Sequence, residues 1–326
     1  MSKEIDPRKN TETARGYGLV IHRSVRDIPA TTRARFAEEN RSIRERTERF
    51  GLAYNEHIQK SQQAILTTAD RALSRAPQEK EKTALILGSG NCLDIPLAEL
   101  TDRFDKVTLV EIDHQSTEAA VKKLSPEQQQ KTTIIATDIT GVVADFAKRM
   151  DLHLNRPMQA FLARAPGSVA QFDVTGKGLS VGADYTFVSS QLVMTQVSSL
   201  PILSLREKFF KKYGVHLSTQ PGGADHELIM ALQPKTIGLQ QEHIRQLARL
   251  VAPSGTVHFA DTVTLFKYSP FSKEPKRLPV SNPQFIVPVI GEQFTSPNPQ
   301  GDAWLWNHEP GKSQFLVMAH SFDPKP

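Results

Sequence analysis

The sequence predicts an α/β fold, a parallel sheet covered by helices on both faces. Three observations predict it. Short apolar runs recur between residues 84 and 263, and helical patterns separate them, an alternation that yields parallel strands with crossover helices. The first run ends in Gly88 and Gly90, and the next two end in Glu111 and Asp138. The tail changes character: Trp304-Leu-Trp306, a turn at Pro310-Gly311 and the run Phe315–Ala319 read as an antiparallel hairpin.

Taken in order, residues 1–30 are polar and carry Pro7 and Pro29, and they read as a loosely held arm. From Thr32 to Ala76 the pattern is helical. Phe36, Ile43 and Phe50 share one face, Tyr54, Ile58, Ile65, Ala69 and Leu73 continue it, and Gly51 is the expected break. This gives an N-terminal arm and helical lid over 1–80, followed by a main domain over 81–326. In the main domain, strands are expected at Ala84–Leu87, Val107–Ile112, Thr132–Thr137, Tyr185–Ser189 and Thr256–Val263, with Pro253-Ser-Gly255 as a turn. Helices are expected at Ile95–Arg103, Ser116–Leu124, from Val142, at Gln191–Leu205 and at Thr236–Val251. Gly141–Gly182 begins as a helix and turns irregular, and Pro270–Pro299 reads as a proline-rich loop with one apolar run, Phe285–Ile290.

Composition narrows the function. The 326 residues contain no apolar run long enough to span a bilayer. The polar N-terminus lacks the apolar core of a signal peptide. With a single cysteine, Cys92, these features predict a cytoplasmic protein without disulfides. The net charge of +5 comes without an aromatic-studded basic stripe, so nucleic acid is not an expected partner. The ten histidines show no ligand spacing, and no metal site is expected. Oligomeric state is not legible.

The chemistry concentrates after the first strand. Gly88 and Gly90 let the chain turn sharply and approach a ligand. Ser89 and Asn91 lie in the same loop, and Asp94 follows. Glu111, about 20 residues on, stands where an acid grips the hydroxyls of a ribose. An adenosine-containing cofactor is therefore expected. A dinucleotide would want a third glycine where Leu93 stands, and Asp94 adds charge that a pyrophosphate would not welcome.

Leu85-Ile-Leu-Gly-Ser-Gly-Asn91, Leu109-Val-Glu-Ile-Asp113, Thr137-Asp138-Ile139 and Ala183-Asp-Tyr-Thr-Phe-Val-Ser-Ser190 together resemble the motifs of class I, Rossmann-like S-adenosylmethionine-dependent methyltransferases. The resemblance covers roughly residues 50–322. It implies methyl transfer to a small-molecule or protein acceptor, with S-adenosylmethionine (SAM) held by Gly88, Ser89, Gly90, Asn91, Asp94, Glu111, Ile112, Asp138, Ile139 and Ser189. Tyr54, Ser190 and Gln191 are the candidates for the acceptor side, expected between the end of the fourth strand and the stretches 141–182 and 201–234. Each has a plainer role beside it: Tyr54 as a core aromatic, Ser190 and Gln191 as caps of a following helix, Asp138 and Asp113 as helix caps. The departures are Ile86, where the family carries an acid, and Cys92, where it carries a glycine. Asp94 is the candidate substitute for that acid. No catalytic base declares itself. Two other enzymes remain open, a spermidine-synthase-like one and an NAD(P)-dependent one, as does a non-catalytic SAM-binding protein.

Overall fold

The computed structural model describes residues 16–21, 23–175, 179, 181–193, 205–217, 225–269, 274–279, 283–296 and 301–325. A ten-stranded, mostly parallel sheet forms its centre. The first apolar run is β2 (Thr83–Leu87), followed by β3 (Lys106–Glu111), β4 (Thr132–Ala136), β5 (Tyr185–Gln191) and β6 (Val251–Lys267). All five are parallel, in the order β4-β3-β2-β5-β6. The hairpin strands β9 (Asp302–Glu309) and β10 (Ser313–Pro324) close the far edge, with β10 antiparallel to β6. The strand order reverses between β2 and its neighbours β3 and β5, and in open α/β sheets the ligand crevice lies at that reversal, beyond the carboxyl ends of the strands.

The N-terminal region forms two long helices, α2 (Ala30–Phe50) and α3 (Leu52–Arg75), joined at Gly51. Helix α3 docks on the sheet and buries Ile65, Ala69 and Ala72 completely. Helix α2 buries only Thr32 among its described residues. Its apolar face lies over the crevice instead of entering the core.

Several expectations need correction. The arm over 1–30 contains an edge strand, β1 (Gly18–Ile21), paired in parallel with β4. Tyr17 beside it is buried, and its hydroxyl donates to Glu118 at 2.9 Å. Four residues between polar segments are too few to register as a strand. The irregular stretch after α7 (Val143–Leu154) contains a second helix, α8 (Met158–Ala170), which runs through Pro166. Similarly, α10 begins at His226, ten residues before the expected start, and runs through Pro234 to Leu250. Burial of Phe161, Ala165, Leu228 and Leu232 in one apolar cluster outweighs the hydrogen bond that each proline removes. The proline-rich tail likewise holds α11 (Pro283–Gln293), with Ile286 and Val289 buried.

The turn at Pro253–Gly255 is a bulge inside β6. Tyr185 pairs with Val251 while Phe187 pairs with Thr256, so the residues between are looped out. A Cβ on Gly255 would sit 2.7 Å from the Thr186 carbonyl oxygen, so the sheet closes there only around glycine. Most of the helix expected at Gln191–Leu205 lies outside the described residues. No described helix is long and apolar enough to cross a membrane.

Candidate functional site: a crevice under the glycine loop

Two contiguous cavities open at the carboxyl ends of β2, β3 and β5, and Gly88 and Glu111 line both. The larger spans about 610 Å³ and the smaller about 440 Å³, both including space open to solvent.

The loop after β2 turns because Gly88 adopts φ +72°. A Cβ there would sit 2.5 Å from Val193 Cγ2. Cys92 adopts φ +53°, so the position where the resembling family carries glycine keeps a glycine-like backbone here. Ile86 is fully buried in β2 and packs into the core beneath the loop. No helix follows the loop directly, because α4 (Leu97–Arg103) starts two residues later than expected.

Glu111 is buried and braces this loop. One oxygen accepts from the backbone N–H of Gly90 at 2.8 Å; the other accepts from Ile112 at 2.9 Å and Asp113 at 3.1 Å. Burial raises its pKa, and these three bonds oppose the rise. Ser89 turns its hydroxyl away, 3.0 Å from Thr117, so only its backbone is free to face a ligand. Asn91 donates to the Asn40 carbonyl of α2 at 2.6 Å, and its own Oδ1 is buried without a partner. Asn40 in turn donates to Asp113 at 3.0 Å, tying α2 to the end of β3.

Asp94 lines the larger cavity. Burial raises its pKa, and a hydrogen bond from Gln191 opposes the rise. Gln191 is the hub of a buried polar chain. Its amide donates to Ser61 Oγ at 2.5 Å, and its Oε1 lies 3.2 Å from His258 Nε2. That oxygen can only accept, so His258 carries its proton on Nε2. Burial pushes the His258 pKa down to about 3.

The smaller cavity is apolar, lined by Phe36, Ile112, Ile139, Val143 and Val193 beside Asp138. Asp138 itself is committed locally. It accepts from the Thr140 backbone N–H at 2.9 Å, the Thr140 hydroxyl at 2.8 Å, and the Val143 N–H that opens α7 at 2.8 Å.

The structure thus gathers Gly88, Ser89, Gly90, Asn91, Asp94, Glu111, Ile112, Asp138, Ile139, Gln191 and Tyr54 around the two cavities. It does not bring Ser189 or Ser190 there. Because β5 runs two residues longer than expected, through Gln191, alternate side chains face opposite sides of the sheet. Ser190 meets His243 of α10 at 2.8 Å on one side while Gln191 meets α3 on the other. Ser189 is fully buried in mid-sheet. A third, smaller cavity between the stretches 141–182 and 201–234 is lined by Phe146, Met150, Leu205 and Lys208 and shares Val143 with the apolar one; the two cavities under the glycine loop are walled differently. Val143 aside, their walls come from α2, α3, the loops after β2, β3, β4 and β5, and Trp306 of β9, with no described residue of 201–234 among them.

Sequence reasoning missed His57 and Trp306, which line the larger cavity. Their rings stack with centroids 4.4 Å apart. Trp304 and Trp306 are both buried while Leu305 between them is 45% exposed. That alternation puts both indoles on one covered face, and it was the available signal.

The fold is a Rossmann-like α/β fold with its crevice at the carboxyl ends of β2, β3 and β5. No protein-family profile matches the chain, and no curated protein does. Among solved structures, it is similar to an S-adenosylmethionine-dependent methyltransferase from Clostridium acetobutylicum, with 8% identity and a TM-score of 0.39 over 86% of this chain and 98% of that one. It is also similar to a TehB-like SAM-dependent methyltransferase from Corynebacterium glutamicum, with 9% identity and a TM-score of 0.33 over 79% and 87%. An rRNA methylase from Streptococcus thermophilus gives 13% identity and a TM-score of 0.31 over 78% and 93%.

Proposed function

We propose that the protein is a SAM-dependent methyltransferase, residues 81–326 forming the catalytic domain and the helices within 1–80 its lid. One observation carries this reading. Beneath the glycine loop the crevice is lined by the carboxylates Asp94 and Glu111, and neither cavity has a lysine or arginine among its described lining residues. A pyrophosphate would meet two carboxylates and no cationic side chain among the described lining residues, which is costly. A cofactor with adenosine, an ammonium and a sulfonium, but no phosphate, fits that charge.

The orphaned Asn91 Oδ1 and the Asp94 carboxylate would accept from the ammonium. Glu111, with one lone-pair direction left over from its three backbone bonds, would take a ribose hydroxyl. Adenine would lie between Phe36, Ile112 and Ile139, and Asp138 would act by fixing the β4–α7 turn. Held by these residues, SAM would supply an electrophilic methyl group, with the S–C electron pair returning to sulfur as the acceptor's lone pair forms the new bond. The protein's own work is positioning and exclusion of water. Gln191 holds Asp94 in place, and α2 covers the crevice through Asn40.

Thermal melting tests the reading. At about 100 times its dissociation constant, S-adenosylhomocysteine should stabilise the fold by about 2.7 kcal/mol, whereas NADH should not. Stabilisation by NADH instead would overturn it.

A further inference from the structure

The larger cavity has a second wall, opposite in character to the glycine loop. Tyr54 and His57 come from α3 and Trp306 from β9. Trp306 stacks on His57 at an interplanar angle of 13° and meets Tyr54 edge-on, with centroids 5.7 Å apart. Trp304 Nε1 donates to His57 Nδ1 at 2.9 Å. His57 is therefore a neutral ring with its proton on Nε2, and burial keeps it so by pushing its pKa down to about 3. That tautomer donates and cannot serve as a base. Trp306 Nε1 is a second donor, buried without a partner. The Tyr54 hydroxyl is already spent on the His308 carbonyl at 3.1 Å.

Charge decides what such a wall can hold. Cations favour aromatic faces, but an ammonium here would confront two N–H donors. An anion would face the donors, yet would share the cavity with Asp94 and Glu111, and the arginine beside Tyr54, Arg46, is paired with Glu39 at 3.2 Å. A neutral molecule with an acceptor atom satisfies the donors without either penalty, and a flat one can stack on the rings.

Building on the cofactor reading above, we propose that the Tyr54–His57–Trp306 wall is the methyl-acceptor subsite, and that it takes a flat, uncharged aromatic or heteroaromatic molecule bearing an oxygen or nitrogen hydrogen-bond acceptor. The wall supplies ring faces for stacking and two neutral donors for that atom.

The test is calorimetric titration of the full chain saturated with S-adenosylhomocysteine. The probes are 4-hydroxyquinoline (neutral), benzoate (anionic) and benzylamine (cationic). The neutral ring should bind about ten-fold or more tighter than either ion. Trp306→Phe keeps a ring and removes the donor, so it should weaken 4-hydroxyquinoline several-fold. Trp306→Ala should weaken it about ten-fold or more, and both variants should keep the parent's affinity for S-adenosylhomocysteine. Tighter binding of benzylamine or benzoate overturns the proposal, as does indifference of 4-hydroxyquinoline to Trp306→Phe. A loss of S-adenosylhomocysteine affinity in Trp306→Phe also overturns it, by assigning that donor to the cofactor. Failure of the parent to bind S-adenosylhomocysteine at all removes the cofactor reading and this subsite with it.

Discussion

Replacing Glu111 separates bracing from binding. Its carboxylate accepts three backbone N–H bonds, from Gly90, Ile112 and Asp113. In Glu111→Ala those donors lose their partner. An unsatisfied buried donor costs about 1–3 kcal/mol, and the open cavity admits water, so the low end applies. The sum is about 3 kcal/mol, or roughly 4 °C in melting temperature for a chain of this size. Ligand affinity should fall separately. Losing one hydrogen bond from a ribose hydroxyl to a charged acceptor costs about 1.5–3 kcal/mol, a factor of roughly 10 to 150. Glu111→Gln retains one acceptor oxygen and should fall between parent and alanine on both scales. Thermal melts and calorimetric titration with S-adenosylhomocysteine read the two effects independently. A lower melting temperature with unchanged affinity would reduce Glu111 to a brace and refute its ribose role. No change in either would refute the geometry.

Other substitutions probe the rest of the site. Gln191→Ala strips a partner from Ser61, His258 and Asp94 at once, and should cost about 1–3 kcal/mol in denaturant unfolding as well as cofactor affinity. Loss of turnover with cofactor affinity intact would instead mark Gln191 as an acceptor contact. Gly88→Ala forces a Cβ within 2.5 Å of Val193 at φ +72°, a strain of about 1–3 kcal/mol that melting should register; a neutral result would mean the loop is not held as described. Stability should also depend on pH. Burial lowers His57 and His258 to about 3 and His243 and His308 to about 4. Below about pH 6.5 the unfolded chain therefore binds protons that the folded chain does not, and stability falls as pH falls through that window. The raised carboxyls of Asp94, Glu111 and Asp138 act in the opposite sense. Urea unfolding at about pH 7 and about pH 5 should show the loss, and His243→Gln should reduce it; a flat profile would contradict the burial of neutral histidines.

Strands β2 to β6 were legible because each is a short apolar run between helical patterns; β2 and β4 differ from expectation by one residue at one end and β3 by one at each end. The hairpin β9–β10 was legible from its turn residues. Elements that defied local rules were not. Pro166, Pro234 and Pro288 lie inside helices, where contacts distant in sequence override a local penalty. The site divides the same way. Gly88, Glu111 and Asp94 could be read because their roles follow from position after a strand. Whether Asp138 is free to contact a base could not be read, because Thr140 and Val143 claim its oxygens only once the turn folds. His57 and Trp306 meet across 249 positions of chain, as their numbers show, and neither residue alone signals the other.

The most direct test of the central claim is isothermal titration of the full-length protein with S-adenosylhomocysteine, with NADH as the comparison. One site per chain with micromolar affinity for S-adenosylhomocysteine, and no heat from NADH, is the predicted result. Tight binding of NADH, or of neither ligand, would contradict a phosphate-free adenosine site lined by Asp94 and Glu111.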